Sequence, residues 1–165
     1  MGRELDEVDK GILYMLQREA RNTTAQEISE TIGVSPSTVR NRISQLESDG
    51  IIRGYHPEID YEAANLPLRV LFVCTAQATR REELTDEVLN VQGVVDVREM
   101  MTGRRNVHVE IVATDTTGIS RISDAIHELG LEIESSELMK RRQMQPFNHF
   151  QFTELDEGTT DADDE

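Results

Sequence analysis

Side chains that can form several directed hydrogen bonds are concentrated in residues 37–48 of this 165-residue chain. They are Ser37, Thr38, Arg40, Asn41, Arg42, Ser44, Gln45 and Ser48. An arginine can donate two hydrogen bonds to a guanine, and an amide can form a pair of them with an adenine. Hydroxyl and guanidinium groups also bind phosphate oxygens. The chemistry predicted for this segment is contact with a nucleic acid, and the alternative is a polar helix face that meets only water.

The apolar residues of the segment predict which way it faces. Val39, Ile43 and Leu46 have the i, i+4, i+7 spacing of one buried helix stripe. With this stripe inward, the outward residues are Ser37, Arg40, Asn41, Ser44, Gln45 and Ser48. Thr38 and Arg42 lie toward the flanks. For Arg42 a packing role is also open, in which it pairs with an acidic residue of the first or second helix.

Capping residues predict where the second and third helices begin. Thr24 followed three residues later by Glu27 forms a capping box, and Gly33 ends the second helix. Ser35 is a suitable N-cap for the third helix, and Pro36 suits its first position. A short turn containing a glycine therefore joins the two helices.

The elements on either side complete a motif in residues 1–59. The apolar stripe of Leu5, Val8, Ile12, Leu13 and Leu16 predicts a first helix over 6–20. The sequence IIRGYHPEI at 51–59 predicts a strand closed by Pro57. Three helices followed by a strand indicate a winged helix-turn-helix.

In that motif the start of the third helix meets the bases, which favours Ser37, Thr38 and Asn41 for base contacts. The start of the second helix and the wing are expected to approach phosphates. The predicted DNA-contacting residues are Thr24, Ser35, Ser37, Thr38, Arg40, Asn41, Arg42, Gln45 and Arg53.

The second half of the chain alternates between strand and helix patterns. Strands are predicted at 68–77, 94–102, 106–114 and 131–142, and helices at 80–91 and around residues 119–129. The order βαββαβ is that of a ferredoxin-like domain, so the fold class is α+β. The predicted domains are 1–59, a linker at 60–67, a second domain at 68–150 and an acidic disordered tail at 151–165.

Both faces of the first strand in this domain are largely apolar. Two helices can cover only one face of a four-stranded sheet, so the other face would expose an apolar patch unless a partner covers it. A second copy of the chain is the predicted cover, which makes the protein a homodimer.

The sequence TGRRN predicts a turn that could bind a ligand. Its residues are Thr102, Gly103, Arg104, Arg105 and Asn106. Backbone N–H groups of a glycine turn and arginine side chains can hold a carboxylate. An ordinary exposed hairpin turn is the alternative.

The composition sets limits on the class of protein. The net charge is −15, with seven acidic residues and no basic one in residues 151–165. Excess acid with little lysine favours a halophilic source, although an ordinary acidic protein from a GC-rich genome, where arginine replaces lysine, is the alternative. No apolar run reaches the length of a membrane span and the start shows no signal peptide, so a cytoplasmic protein without membrane contact is expected.

The sequence predicts no cofactor and no metal site. Its one cysteine, Cys74, is expected to be a small buried hydrophobic residue rather than a redox sensor. His108 and Glu110 share the face of the third strand away from the helices. A metal or haem site there is the alternative to a hydrogen bond at the dimer interface.

Four segments, in this order and spacing, resemble the Lrp/AsnC family of feast/famine transcription regulators. They are LDxxDxxIL at 5–13, VxxRIxxL at 39–46, DGIIxGY at 49–55 and TGRRN at 102–106. The resemblance covers about residues 5–142, and the charge pattern favours the halophilic archaeal type. It implies a sequence-specific DNA-binding regulator with a RAM/ACT-like second domain that dimerises, assembles further and senses amino acids near the turn between its second and third strands.

The resemblance also implies partners and alternatives. A dimer predicts a pseudo-palindromic double-stranded operator with half-sites about one helical turn apart. Asn106 stands where the family often has an acidic residue, so an acidic effector, or none, remains open beside an amino acid. A ligand-binding or assembly protein with vestigial DNA binding is one alternative. A relative of tetrapyrrole decarboxylases is another, although no nucleophile-base pair supports an enzyme.

Overall fold

The computed structural model describes residues 3–150, and the predicted tail at 151–165 lies outside the described residues. The chain forms two compact units. One combines the residues up to Pro57 with the segment that begins at Gln143, and the other spans Glu58–Arg142.

These boundaries differ from the predicted ones at both ends of the second domain. The predicted linker packs within the second unit, where the Tyr61 ring lies over the Arg69 guanidinium at 5.6 Å. Residues 143–150 belong to the first unit instead of the second. The Phe147 N–H donates to Gln17 Oε1 at 3.3 Å, and Phe150 packs against the helical core.

The first unit contains three helices, α1 (Glu7–Arg18), α2 (Ala25–Ile32) and α3 (Pro36–Ser48). The predicted capping box is confirmed: Thr24 Oγ1 accepts from the Glu27 N–H at 3.2 Å, and Glu27 Oε2 accepts from the Thr24 N–H at 2.7 Å. Gly33 ends α2 with φ +73°, a left-handed conformation that costs a glycine little.

The core of this unit consists of side chains from all three helices. Its buried hydrophobic residues are Ile12, Leu13, Ile28, Ile32, Val39 and Leu46. Asp9 is also buried, and its carboxylate pairs with Arg3 at 2.6 Å and Arg42 at 3.2 Å. A buried carboxylate must be paired to be tolerated, so these two arginines tie the start of α1 to α3.

The predicted strand at 51–59 is wrong. These residues form an irregular segment, and the described part of the first unit contains no strand. The N–H groups of Ile51 and Ile52 donate to the Leu46 carbonyl at 2.9 and 3.0 Å, and both side chains pack against the core. A β-strand requires a neighbouring strand for its hydrogen bonds, and the apolar pattern of this segment does not supply one. Residues 51–55 are called the wing segment below.

The second unit has the predicted βαββαβ order. Its elements are β1 (Leu68–Thr75), α4 (Arg81–Val88), β2 (Val94–Glu99), β3 (Val107–Ala113), α5 (Thr116–Leu129) and β4 (Glu132–Leu138). The antiparallel sheet has the order β2-β3-β1-β4, which confirms the ferredoxin-like arrangement. All four strands end earlier than predicted, β3 by a single residue. A single 3-10 turn at Asn148–Phe150 follows in the first unit.

One face of this sheet packs under α4 and α5. The buried residues there include Val70, Phe72, Cys74, Val109 and Ile111. Cys74 is fully buried, as predicted, and burial raises the pKa of its thiol to about 12. The thiol is therefore neutral at physiological pH and unsuited to nucleophilic or redox chemistry.

The other face of the sheet carries no helix, and we call it the open face. Val73 and Val112 are buried on it, Leu71 is half-buried, and Glu110 is completely buried. The Glu110 carboxylate pairs with Arg69 of β1 and with Arg98 of β2, the latter at 3.1 Å. Apolar side chains thus surround a charged network on this face.

Among residues 3–150, no helix is both long enough and apolar enough to cross a membrane.

Candidate nucleic-acid interface and the β2–β3 turn

The exposed face of α3 is the one that its apolar stripe predicts. Val39 and Leu46 are fully buried and Ile43 packs against the core. The residues on the opposite side are all exposed: Ser37, Arg40, Asn41, Ser44, Gln45 and Ser48. Thr38 and Arg42 are half-buried at the flanks. The helix therefore presents hydroxyl, amide and guanidinium groups to its surroundings.

Three hydroxyl groups meet at the start of α3. Ser35 Oγ accepts from the Thr38 N–H at 3.1 Å and lies 2.8 Å from both Ser37 Oγ and Thr38 Oγ1. Each hydroxyl can still donate or accept a further hydrogen bond. The positive end of the helix dipole lies at the same point, so this end of α3 favours an anionic partner such as phosphate.

Arg40 and Asn41 offer the most versatile groups on this face. Both are exposed, and within residues 3–150 neither side chain takes part in an ion pair or a side-chain hydrogen bond. Their donors and acceptors are therefore available to an external partner. A guanidinium beside an amide is a combination suited to reading base edges.

Arg42 makes the intrachain pairs that the sequence leaves open as an alternative to a DNA contact. Its Nη1 lies 2.8 Å from Asp6 Oδ2 and 3.2 Å from Asp9 Oδ1, both at the start of α1. The N–H of Asp9 and the guanidinium of Arg42 hold the pKa of Asp6 below its usual value. The positive charge of Arg42 is thus committed to two carboxylates of its own chain.

The remaining residues predicted to contact DNA differ in whether their side chains already have partners within the chain. Thr24 is exposed at the start of α2 but is engaged in the capping box, and its N–H is the main cause of the lowered pKa of Glu27. Gln45 Nε2 donates to Asp49 Oδ1 at 2.8 Å. Arg53 is exposed on the wing segment, and within residues 3–150 it has no ion-pair partner.

Tyr55, the last residue of the DGIIxGY segment, is a functional candidate for which the sequence predicted no role of its own. Its hydroxyl donates to Glu47 Oε1 of α3 at 2.8 Å. Partial burial and this bond raise the Tyr55 pKa to about 12, so the hydroxyl stays protonated and remains a donor. The one feature of the sequence that could have indicated this contact is the acidic residue Glu47, eight residues before Tyr55 at the end of α3.

Asn106, which was predicted to contribute to a ligand site, is engaged within its own chain. It is 5% exposed, its Oδ1 accepts from the Ala76 N–H at 2.8 Å, and its Nδ2 donates to the Ala76 carbonyl at 2.9 Å. The Asn106 amide thus makes the two hydrogen bonds that the backbone of a neighbouring strand would make, and it holds the end of the turn beside the end of β1. Its hydrogen-bonding groups are therefore occupied.

The other residues of the turn remain accessible. Thr102, Gly103 and Arg105 are exposed, and Gly103 has φ +93°. Arg104 is also exposed, but its guanidinium pairs with Glu134 of β4 at 3.1 Å. Glu134, for which the sequence predicted no role, therefore places a carboxylate beside Arg104 of the turn.

His108 and Glu110 both lie on the open face of the sheet. Each Glu110 oxygen is engaged by an arginine. Among the residues that the structure describes, no group of three or more His, Cys, Asp or Glu is placed to hold a metal ion.

Known proteins resemble both the sequence and the fold. The family model for a winged helix-turn-helix DNA-binding domain matches residues 5–53. The HTH-type transcriptional regulator AldR of Mycobacterium tuberculosis is 30% identical over 115 residues, 68% of this chain and 64% of AldR, so the match spans just under two thirds of that relative. The HTH-type transcriptional regulator LysM of Sulfurisphaera tokodaii is 30% identical over 126 residues, 76% of this chain and 87% of LysM.

Solved structures match over both units. Transcriptional regulator NMB0573 of Neisseria meningitidis, in complex with L-Met, has a TM-score of 0.71 and 25% identity, and the match covers 90% of this chain and all of that one. An AsnC family transcriptional regulator from Agrobacterium tumefaciens has a TM-score of 0.68 and 22% identity, over 86% of this chain and 94% of that one. The second likeness concerns the fold alone.

Proposed function

The chain belongs to the Lrp/AsnC family of helix-turn-helix transcription regulators, and from this premise we propose that it reads specific double-stranded DNA through the exposed face of α3. One observation carries the proposal. The stripe of Val39, Ile43 and Leu46 turns Arg40 and Asn41 outward, free of ion pairs within the described residues. Side chains of this kind near the start of a recognition helix meet base edges in the major groove.

Phosphate contacts complete the proposed interface. The hydroxyl cluster at Ser35, Ser37 and Thr38 lies at the positive end of α3, Thr24 lies at the start of α2, and Arg53 lies on the wing segment. These groups fix the register of the helix on DNA but do not distinguish sequences. Arg42 is left out of the interface because Asp6 and Asp9 hold it.

The net charge of −15 is compatible with this function because affinity depends on the charges that face the phosphates. The acidic residues at the end of α3 are engaged within the chain: Glu47 with Tyr55, and Asp49 with Arg3 and Gln45. We propose a halophilic setting in which hydrogen bonds and DNA shape contribute more than counterion release.

The open face of the second unit is the proposed dimer interface. Leu71, Val73 and Val112 form an apolar surface around the Arg69–Glu110–Arg98 network. A second copy of the sheet offers the same surface, as a two-fold symmetric interface requires. A dimer would place two α3 helices on a pseudo-palindromic operator with half-sites about one helical turn apart.

A small ligand with a carboxylate group, such as an amino acid, is the proposed effector. The exposed backbone at Gly103, the guanidinium of Arg105 and the carboxylate of Glu134 lie on or beside the β2–β3 turn. Arg105 and the backbone N–H groups could bind the carboxylate of an amino acid, and Glu134, which also pairs with Arg104, could accept from its amino group. The neighbour NMB0573 was solved with L-Met, which supports an amino acid over a chemically unrelated ligand.

The direct test measures binding of the purified protein to fragments of its genome and to random DNA, at the salt concentration of its host. Arg40→Ala and Asn41→Ala are each expected to reduce the preference for specific fragments, since a two-bond base contact is worth about 1–3 kcal/mol. Arg121→Ala, an exposed change on α5 of the second unit, is the control. Equal binding to all DNA would instead favour a ligand-binding or assembly protein.

A further inference from the structure

We propose that Tyr55 is a positioning residue for DNA binding, because its hydrogen bond to Glu47 holds the wing segment against α3 and so places Arg53 beside a phosphate. The inference rests on the proposed function, since it assumes that Arg53 contacts DNA. It assigns a role to a tyrosine that itself need not touch the nucleic acid.

The wing segment is fixed at its beginning by the backbone. The N–H groups of Ile51 and Ile52 both donate to the Leu46 carbonyl, at 2.9 and 3.0 Å. Both side chains pack against the helical core. These contacts hold the first two residues of the segment on the end of α3.

The rest of the segment lacks such support. It forms no strand, and within residues 3–150 no backbone-to-backbone hydrogen bond involves residues 53–57. The one side-chain hydrogen bond that links this stretch to α3 joins Tyr55 to Glu47 at 2.8 Å. Arg53 therefore lies between two attachment points, Ile52 before it and Tyr55 after it.

The spacing makes the second attachment effective. Extended residues advance about 3.3 Å each, so the Tyr55 backbone lies within about 7 Å of that of Arg53 along the chain. A tyrosine side chain has only two rotatable torsions and keeps a contact in place at low entropic cost. In many winged motifs a β-ladder would hold this position, and here a side-chain hydrogen bond takes its place.

The same hydrogen bond also occupies Glu47. This carboxylate lies on α3 one turn or more beyond the residues proposed to read bases. If the Tyr55 hydroxyl is removed, the carboxylate becomes free to attract Arg53, and a phosphate would have to compete for that guanidinium. Loss of the hydroxyl should therefore weaken the Arg53 contact both by freeing the segment and by releasing a competing anion.

The test uses the salt dependence of binding to an operator fragment obtained by selection. The slope of log K against log salt becomes shallower by about 0.9 for each phosphate that the protein no longer neutralises. Arg53→Ala is expected to reduce the slope by about this amount. Tyr55→Phe is expected to reduce it by a part of this amount and to weaken binding several-fold, and the double variant should bind like Arg53→Ala alone.

Two further variants separate positioning from simple damage. Glu47→Gln keeps an oxygen that accepts from Tyr55, so it should bind at least as well as the wild type. Tyr14→Phe is the matched control, because Tyr14 lies on α1 and within residues 3–150 its hydroxyl forms no side-chain hydrogen bond. It should leave affinity and slope unchanged.

The outcomes distinguish the two levels of the proposal. If Arg53→Ala changes the slope but Tyr55→Phe behaves like Tyr14→Phe, the positioning role is refuted and the proposed function stands. Additive effects in the double variant would also refute it, because Tyr55 would then act independently of Arg53. If the wild type shows no preference for any fragment, the proposed function itself fails.

Discussion

Arg40 and Arg42 lie two residues apart on α3, and the structure predicts that the loss of each affects a different property of the protein. Arg42→Ala removes a partner from Asp9, which is buried, and from Asp6. Arg40→Ala removes an exposed side chain that has no ion pair within residues 3–150. The first change should lower stability and the second should lower DNA binding.

The loss of stability expected for Arg42→Ala depends on the partner that Asp9 retains in the variant. Arg3 remains 2.6 Å from the Asp9 carboxylate, so the buried charge keeps one ion-pair partner. Loss of a hydrogen bond to a charged group costs about 1.5–3 kcal/mol. In a unit of this size each kcal/mol lowers the Tm by about 4–8 °C. The Tm of the helical unit should therefore fall by about 6 °C or more.

For Arg40 the expected stability change is within about 0.5 kcal/mol, as for an exposed side chain. Its loss should weaken specific DNA binding by about 1–3 kcal/mol. Thermal unfolding followed by circular dichroism measures the first quantity, and fluorescence anisotropy of a labelled operator measures the second. Arg42→Lys is a useful control because it keeps the charge but not the planar guanidinium.

One result would refute this reasoning. If Arg42→Ala left the Tm unchanged and instead made the salt slope of DNA binding shallower by about 0.9, the change expected for one phosphate, Arg42 would be a phosphate ligand and its ion pairs on α1 would be incidental.

Two further predictions concern the β2–β3 turn and the helix caps. Asn106→Ala should destabilise the second unit by about 2–4 kcal/mol, because it leaves both backbone groups of Ala76 without their partners. Chemical denaturation measures this loss of stability. A loss of ligand binding without a loss of stability would contradict the prediction. The pKa values of Asp6 and Glu27 are lowered by the backbone N–H groups they accept from, so their contribution to stability is fully present above the ordinary carboxyl pKa and is lost as the pH falls through the lowered one. Unfolding midpoints between about pH 5 and 2 should show this decline in stability, and Glu27→Gln should make the decline shallower. An unchanged decline in that variant would show that the Glu27 carboxylate does not contribute to it.

The parts of the fold that the sequence predicted depend on short-range chemistry. The Thr24–Glu27 capping box, the Ser35 cap and the orientation of α3 each follow from residues within one or two turns of a helix. The ferredoxin-like order follows from alternation within each strand and the spacing of apolar residues in α4 and α5. Local periodicity determined these elements because each buries one face against the core of its own unit.

The parts that could not be predicted depend on partners distant in sequence. Asn106 and Ala76 are 30 residues apart, so nothing near Asn106 marks it as a bridge. Phe147 and Gln17 are 130 residues apart, and their contact moves the 143–150 segment to the first unit. The wing segment has a strand-like pattern but no strand to pair with, and a pattern alone cannot show the absence of a neighbour.

Selection of bound sequences from random DNA is the most direct measurement of the central claim that the α3 face reads DNA. The wild type should enrich a pseudo-palindromic motif whose half-sites lie about 10 base pairs apart. The variant carrying Arg40→Ala and Asn41→Ala should enrich none, or a motif with one half-site position relaxed. Enrichment of the same motif by both proteins, or of no motif by the wild type, would contradict the claim.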